Sequence, residues 1–352
     1  MIWLTWRQFR GAAALMSALL VVLAAVLALT GPGLASSYTS GLAACLPKAT
    51  CDRFFDQFFG DNQLTFLAVT LVVLVLPTLI GLFWGAPMIT RELEANTHLL
   101  VWNQSITRGR WLATKLGVIG LAAVAAAGVA GLAVTWWSGP LDRSAEVGYS
   151  LMDPLVFSAR GIAPMGYAAF ALLLGVTVGM LARRTLPAMA ITLVLFAAVQ
   201  VGLPLLLRPH LMAPVNATFP LSRANIDQIN VPGDGHLRIH LDQVIADDPG
   251  AWVLSTQLVD SAGRAVPESE GGAEVSVSGT SGPCGPPPRG AQPETTMNTC
   301  LAEVNRAGYR QAAVYHPWKR FWPMQWIETG LYALLTLGLS GFCVWWLRRR
   351  LS

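Results

Sequence analysis

The sequence predicts an all-α polytopic membrane protein of about six transmembrane helices, with a small extracytoplasmic α+β insertion between the fifth and sixth. Three observations carry that expectation. Only 12% of the 352 residues are charged and 53% are hydrophobic, against the roughly 25% charge of a soluble domain. The apolar residues come in uninterrupted runs of bilayer length. A single long segment, between the fifth and last runs, is rich in Pro, Gly, Asp and Ser.

From the N-terminus, the first apolar run, Gly11 to Thr30, is roughly 20 residues without a charge, enough at about 1.5 Å each to cross a 30 Å hydrocarbon core. Arg7 and Arg10 precede it and Gly31-Pro32-Gly33 follows, an arrangement shared with secretory signal peptides. Signal cores run only about 7 to 15 residues, so an uncleaved first helix is expected. Further spans read at 65–88, 112–137, 160–182, 186–207 and 326–347. No charge sits near the middle of any, and Lys115 lies close to the start of the third. A central Lys or Asp would cost about 2.5–3.5 kcal/mol against about 0.3–0.6 returned by each Leu, Ile, Val or Phe, so all six are expected to insert.

Orientation follows from the short loops. With the N-terminus inside, Arg7, Arg10, Arg91, Arg108, Arg110, Lys115, Arg183, Arg184 and Arg348 to Arg350 collect on the cytoplasmic side, against Lys48, Arg53, Arg143 and Arg160 outside. That bias places both termini in the cytoplasm. Trp residues such as Trp84, Trp111, Trp137 and Trp326 fall near span ends and read as interfacial belts. The chain divides into 1–207, with spans one to five and a cytoplasmic loop at 89–111; 208–322, the extracytoplasmic domain; and 323–352, the last span and a basic tail.

In the outer segment, Trp252 to Val259 alternates like a strand, Pro267 to Pro293 reads as an irregular loop, and Ala302 to Val314 as a helix returning to the membrane. Cys45, Cys51, Cys284 and Cys300 fall on the oxidising side. Four cysteines allow three pairings; Cys45 with Cys51 and Cys284 with Cys300 are expected, with free thiols as the alternative. Cys343, inside the last span, reads as a packing residue. His236 and His240 are spaced for a helical metal site, but the residues between alternate like a strand, so no metal is expected. A net charge of +4, with no basic stretch interleaved with aromatics, argues against nucleic acid.

Within the membrane part, Gly175 and Gly179 form a G-x-x-x-G step that permits close helix packing. Phe54, Phe55, Phe58 and Phe59 suggest a short helix on the outer membrane face. Pro77 and Pro204 are expected to kink their helices, and Glu328 to cap the last span near its first turn. The spans carry no His, Asp or Glu cluster of the kind buried chemistry needs, so the chain is not expected to be an enzyme.

The loop from Arg91 to Trp111 is the substantial cytoplasmic one, and Thr97 can cap a short helix bearing Leu100, Val101 and Trp102. Such an amphipathic helix can press into a groove on a partner, or rest on lipid as a plain connector. The run from Trp84 to Glu94, then Thr97-His98, Trp102 to Arg108 and Arg110 to Leu116, resembles the same region of type-2 ATP-binding-cassette (ABC) permeases, particularly actinobacterial ones. Trp3 to Arg10, Tyr315-His316-Pro317 and Arg320 to Gly330 are similar to that group's ends, whereas 267–293 has no counterpart.

The resemblance implies the permease subunit of an ABC exporter, a homodimer in membrane lipid driven by a separate cytosolic ATPase. ATP and Mg would be bound by that partner, since no G-x-x-x-x-G-K-[ST] occurs here. It further implies ATPase coupling through Arg91, Glu92, Glu94, Thr97, Leu100, Trp102 and Arg108, with the two carboxylates bracing the helix base. Arg91, Arg108 and Lys115 admit a second role as phosphate-anchoring interface cations. The rival reading is a polytopic sensor or scaffold with a ligand-binding outer domain.

Overall fold

The computed structural model describes residues 2–45, 51–94, 108–144, 149–232, 235–269, 272–286 and 293–349. In chain order the helices are α1 (Ile2–Cys45), α2 (Asp52–Leu79), α3 (Ala86–Glu94), α4 (Arg108–Asp142), α5 (Pro154–Ser158), α6 (Ala163–Ala182) and α7 (Thr185–Leu206). Strands β1 (Val215–Phe219), β2 (Ile226–Asn230), β3 (His236–Leu241), β4 (Trp252–Val259), β5 (Glu268–Ser269) and β6 (Gly272–Ser278) follow. Helix α8 (Pro293–Arg306), strand β7 (Arg310–His316) and helix α9 (Phe321–Arg349) complete the order. Two compact units result: Met1–Ser144 with Pro154–Leu211 and Trp322–Ser352, and Ala145–Asp153 with Met212–Phe321.

In the first unit six helical stretches are long and apolar enough to cross a membrane. All but the fourth, Ala163–Ala182, overshoot the lengths expected from hydropathy alone. Helix α1 does not stop at Gly31-Pro32-Gly33 but runs for 44 residues, about 66 Å, to Cys45. Gly31 lets the Trp137 ring approach to 3.3 Å of where a Cβ would stand, and Thr30 Oγ1 accepts a hydrogen bond from Trp137 Nε1 at 2.9 Å. Tertiary contact thus carries the helix through its proline. Past that point, Tyr38 packs on Phe54, Phe55 and Phe58, and a disulfide joins Cys45 to Cys51. The Phe cluster is therefore the start of the long helix α2, with Phe59 fully buried, and not a separate surface helix.

Pro77 does not break α2; a π-helical turn, Ile80–Gly85, follows it and leads straight into α3. The turn lies against α6, the most buried of the six spans. A Cβ on Gly85 would come within 2.5 Å of the Leu172 carbonyl, and one on Gly175 within 2.4 Å of the Gly81 carbonyl. Gly179 lies on Ala86 in the same way, so the G-x-x-x-G step of α6 packs inside the chain. Tyr167, Phe170, Leu174 and Val178 of α6 then share a core with Ala86, Ala188, Phe196 and Tyr332.

The second unit holds two antiparallel sheets, ordered β1-β7-β4 and β2-β3-β6-β5. Alternating Leu237, Ile239, Ala273 and Val275 meet Leu258 and the Cys300, Leu301 and Val304 face of α8. Asn225 and Gln311, both fully buried, bond to each other at 2.8 Å, and Gln311 also donates to the Val244 carbonyl and Thr256. Amides buried this deep are tolerated because their hydrogen bonds are made. Two expectations fail here. The stretch read as an irregular loop contains β6, an alternating strand inside its sheet, and 302–314 divides into the end of α8 and strand β7. His236 and His240 lie on β3, near Glu274 and Glu268, and no group of three metal-ligating side chains occurs among the described residues.

Gly85→Ala and Gly175→Ala should each lower stability by about 1–3 kcal/mol, the usual cost of overpacking. Gly117, with nothing within 4 Å of a Cβ, should tolerate Ala or gain slightly. Thermal unfolding in detergent decides, and equal melting temperatures for all three would refute the close approach. Cys284 and Cys300 are also disulfide-bonded, 16 residues apart. Replacing both by Ser should cost the second unit about 3 kcal/mol, read as earlier thermal loss of its protease resistance.

Candidate functional site

Of the candidate coupling residues, Arg91, Glu92 and Glu94 lie at the end of α3. Helix α3 carries polar residues on three successive sides, and the neighbouring helices meet each of them. Glu92 Oε1 accepts from Lys115 Nζ of α4 at 2.5 Å, with both side chains nearly buried. Lys115 also stands 4.8 Å over the Trp111 ring. Lys115 is therefore not an interface anchor for phosphate; it is spent on Glu92. Glu94 reaches the other way and takes the N-terminus of α7, accepting from the Thr185 backbone N–H at 2.7 Å and the Thr185 hydroxyl at 2.9 Å. Thr90 completes the contact through a hydroxyl–hydroxyl bond to Thr185 of 2.8 Å.

A carboxylate at a helix N-terminus satisfies donors left over by the helical ladder and complements its dipole. Arg183, just before α7, adopts a left-handed φ of 55° and closes α6 with a bond to the Gly179 carbonyl. The α6–α7 connection is thus the two residues Arg183 and Arg184. Arg91 lines a cavity of about 250 Å³ together with Phe9, Phe83, Trp84, Met88, Ile119 and the Lys115–Glu92 pair. Phe9 and Trp84 meet edge to face at 4.5 Å, and Trp84 Nε1 donates to the Ala12 carbonyl. Thr97, Leu100 and Trp102 lie outside the described residues, as does the side chain of Arg108.

Trp84, Trp111 and Trp137, read as interfacial belts, are buried, whereas Trp136, Trp318, Trp322, Trp326 and Trp345 are exposed. The indole N–H groups of Trp84 and Trp137 each find a partner on α1, which explains their inward position.

The opposite end of the bundle holds two ion pairs that hydropathy did not reveal. Arg208 binds Glu328 through Nε at 2.9 Å and Nη2 at 2.8 Å, while its other donors reach the Pro154 carbonyl and the Ser158 hydroxyl. Tyr167 donates to Glu328 Oε1 at 2.5 Å. Glu328 is thus a buried partner of Arg208 and not a helix cap. The N-terminus of α6 is capped from α9 by Gln325, whose Oε1 accepts from the Ile162 and Ala163 backbone. Arg160, fully buried, is held less well: Asp142 is 3.9 Å away and Thr70 Oγ1 3.4 Å. Its Nε and Nη2 have no hydrogen-bond partner among the described residues. The missed signal was pairing: a cation and a carboxylate at matching span ends neutralise each other, which a loop-by-loop charge count ignores.

What the arrangement can do is hold spans together at both ends. Comparison with protein families finds one match, to the family described as ABC-2 membrane transporter related, over residues 17–208, just over half the chain. Neither the curated proteins nor the solved structures compared give a significant match.

Lys115→Met removes the cation beside a nearly buried Glu92 and should cost about 3–5 kcal/mol. Lys115→Met with Glu92→Met should recover most of that loss, because two apolar groups replace two charges. Additive losses in the double-mutant cycle, measured by thermal unfolding, would contradict the pairing.

Proposed function

The chain belongs to the ABC-2 membrane transporter related family, and from that membership we propose that it is the membrane-spanning permease subunit of an ABC exporter. It works with a separate ATPase, which binds the ATP and Mg, and pairs with a second copy of itself to complete the pathway. The observation that carries the reading is the family match across spans one to five, including the connection between α3 and α4.

The geometry around that connection supports it. A motor that pushes on a membrane protein needs a stiff base, and α3 is clamped on one side by Glu92 to Lys115 and on the other by Glu94 to Thr185. The segment with Thr97, Leu100 and Trp102 follows this base in the chain and serves for docking, with Arg108 at its end. Arg7, Arg10, Arg91, Arg110, Arg183, Arg184, Arg348 and Arg349 gather at the ends of spans on this same side, which favours the cytoplasm. The disulfide between Cys45 and Cys51 belongs to the other side, where oxidation is possible. The second unit accordingly lies outside the cell.

Affinity purification of the full chain in mild detergent should bring down a Walker-containing subunit. Leu100→Asp should reduce that recovery at least tenfold while leaving the melting temperature unchanged. Undiminished recovery with Leu100→Asp would remove the docking assignment. Absence of any such subunit under several detergents would favour the scaffold reading instead.

A further inference from the structure

The cavity beside Arg91 has a chemistry that clamping α3 does not require. Its walls are aromatic and aliphatic, with Phe9, Phe83, Trp84, Met88 and Ile119, and its polar edge is Arg91 beside the Lys115–Glu92 pair. That pair neutralises itself. Arg91 is exposed and forms no salt bridge with a described residue; Glu94, held by Thr185, attracts it at longer range and does not line the cavity. Among the residues that line the hollow one net positive charge is therefore left, on Arg91. Arg7 and Arg10 are exposed on α1 on either side of Phe9.

Sites that enclose a drug-sized molecule measure about 300–1,000 Å³, so a cavity of about 250 Å³ accepts one part of a molecule whose remainder lies outside. The outside is the flank of a membrane-spanning helix, where Phe83 is 53% exposed. From Phe83 to Arg91 the chain advances eight residues, about 12 Å of helix. The headgroup layer of a bilayer is only about 5–8 Å thick on each side. A phosphate held on Arg91 thus puts the chain beneath it at the depth of Phe83.

We propose that this cavity binds an anionic phospholipid, its phosphate on Arg91 and the upper part of one acyl chain against Phe9, Phe83 and Met88. The net positive rim selects against zwitterionic headgroups, whose terminal ammonium would face Arg91. Only embedding in a bilayer is required, so the site stands or falls separately from the ATPase reading.

Delipidated protein would be titrated with short-chain phosphatidylglycerol or phosphatidylcholine and the retained lipid read by native mass spectrometry. Phosphatidylglycerol should be retained and phosphatidylcholine lost. Arg91→Gln should weaken retention about fivefold, the equivalent of ~1 kcal/mol for one cation near an anionic surface, and Arg91→Lys should restore most of it. Arg110→Gln, an exposed cation that does not line the cavity, should change nothing. Ala12→Phe, which fills the hollow from its wall, should abolish retention with Arg91 intact. Should that variant fail to fold, the Arg91→Gln and Arg110→Gln comparison decides alone. Equal retention of both lipids, equal weakening by the two Arg variants, or displacement by an equal concentration of inorganic phosphate would overturn the proposal; displacement would mark a free-phosphate site instead.

Discussion

Two helices can bring their backbones together only where side chains are missing, and the membrane unit is organised around one such place. The widened turn at Ile80–Gly85 turns its carbonyls toward α6, and Gly81, Gly85, Gly175 and Gly179 clear the space between them. Lipid supplies no hydrophobic drive between apolar helices, so this close van der Waals contact does the packing that water-driven burial does elsewhere. With α6 fixed there, α4, α7 and α9 find their places against it, and their exposed aliphatic faces are left to the bilayer.

The same lack of water explains the polar chemistry at the span ends. A free N–H or charge costs several kcal/mol in hydrocarbon, and three sites here are answered from a different helix. Gln325 answers the N-terminus of α6, Glu94 that of α7, and Glu328 the guanidinium of Arg208. These contacts tie helices far apart in sequence, which makes helix-to-helix order depend on a few polar atoms. Arg160 stands apart, because its pairing with Asp142 leaves two donors unanswered among the described residues.

Hydropathy made the six membrane helices legible, because a run of about 20 apolar residues has few soluble alternatives. Their true lengths were not legible. Gly31-Pro32-Gly33 reads as a stop, and only the Trp137 contact and the Tyr38–Phe54 packing explain why α1 continues. Likewise the alternation in Trp252 to Val259 was readable as a strand, whereas β6 was hidden by the Gly, Pro and Ser around it and shows itself only through pairing with β3. At the candidate site, Glu92 and Glu94 stood out through resemblance, but their partners Lys115 and Thr185 did not. Nothing local in a sequence says which distant residue will stand opposite a carboxylate.

The joint between α6 and α7 leaves little slack. Two residues, one of them left-handed, give no play for one helix to slide along the other, and the Glu94 clamp fastens α3 to the same hinge point. These three helices are thereby fastened to one another at a single polar point, so that a displacement at the end of α3 is passed directly to the start of α7.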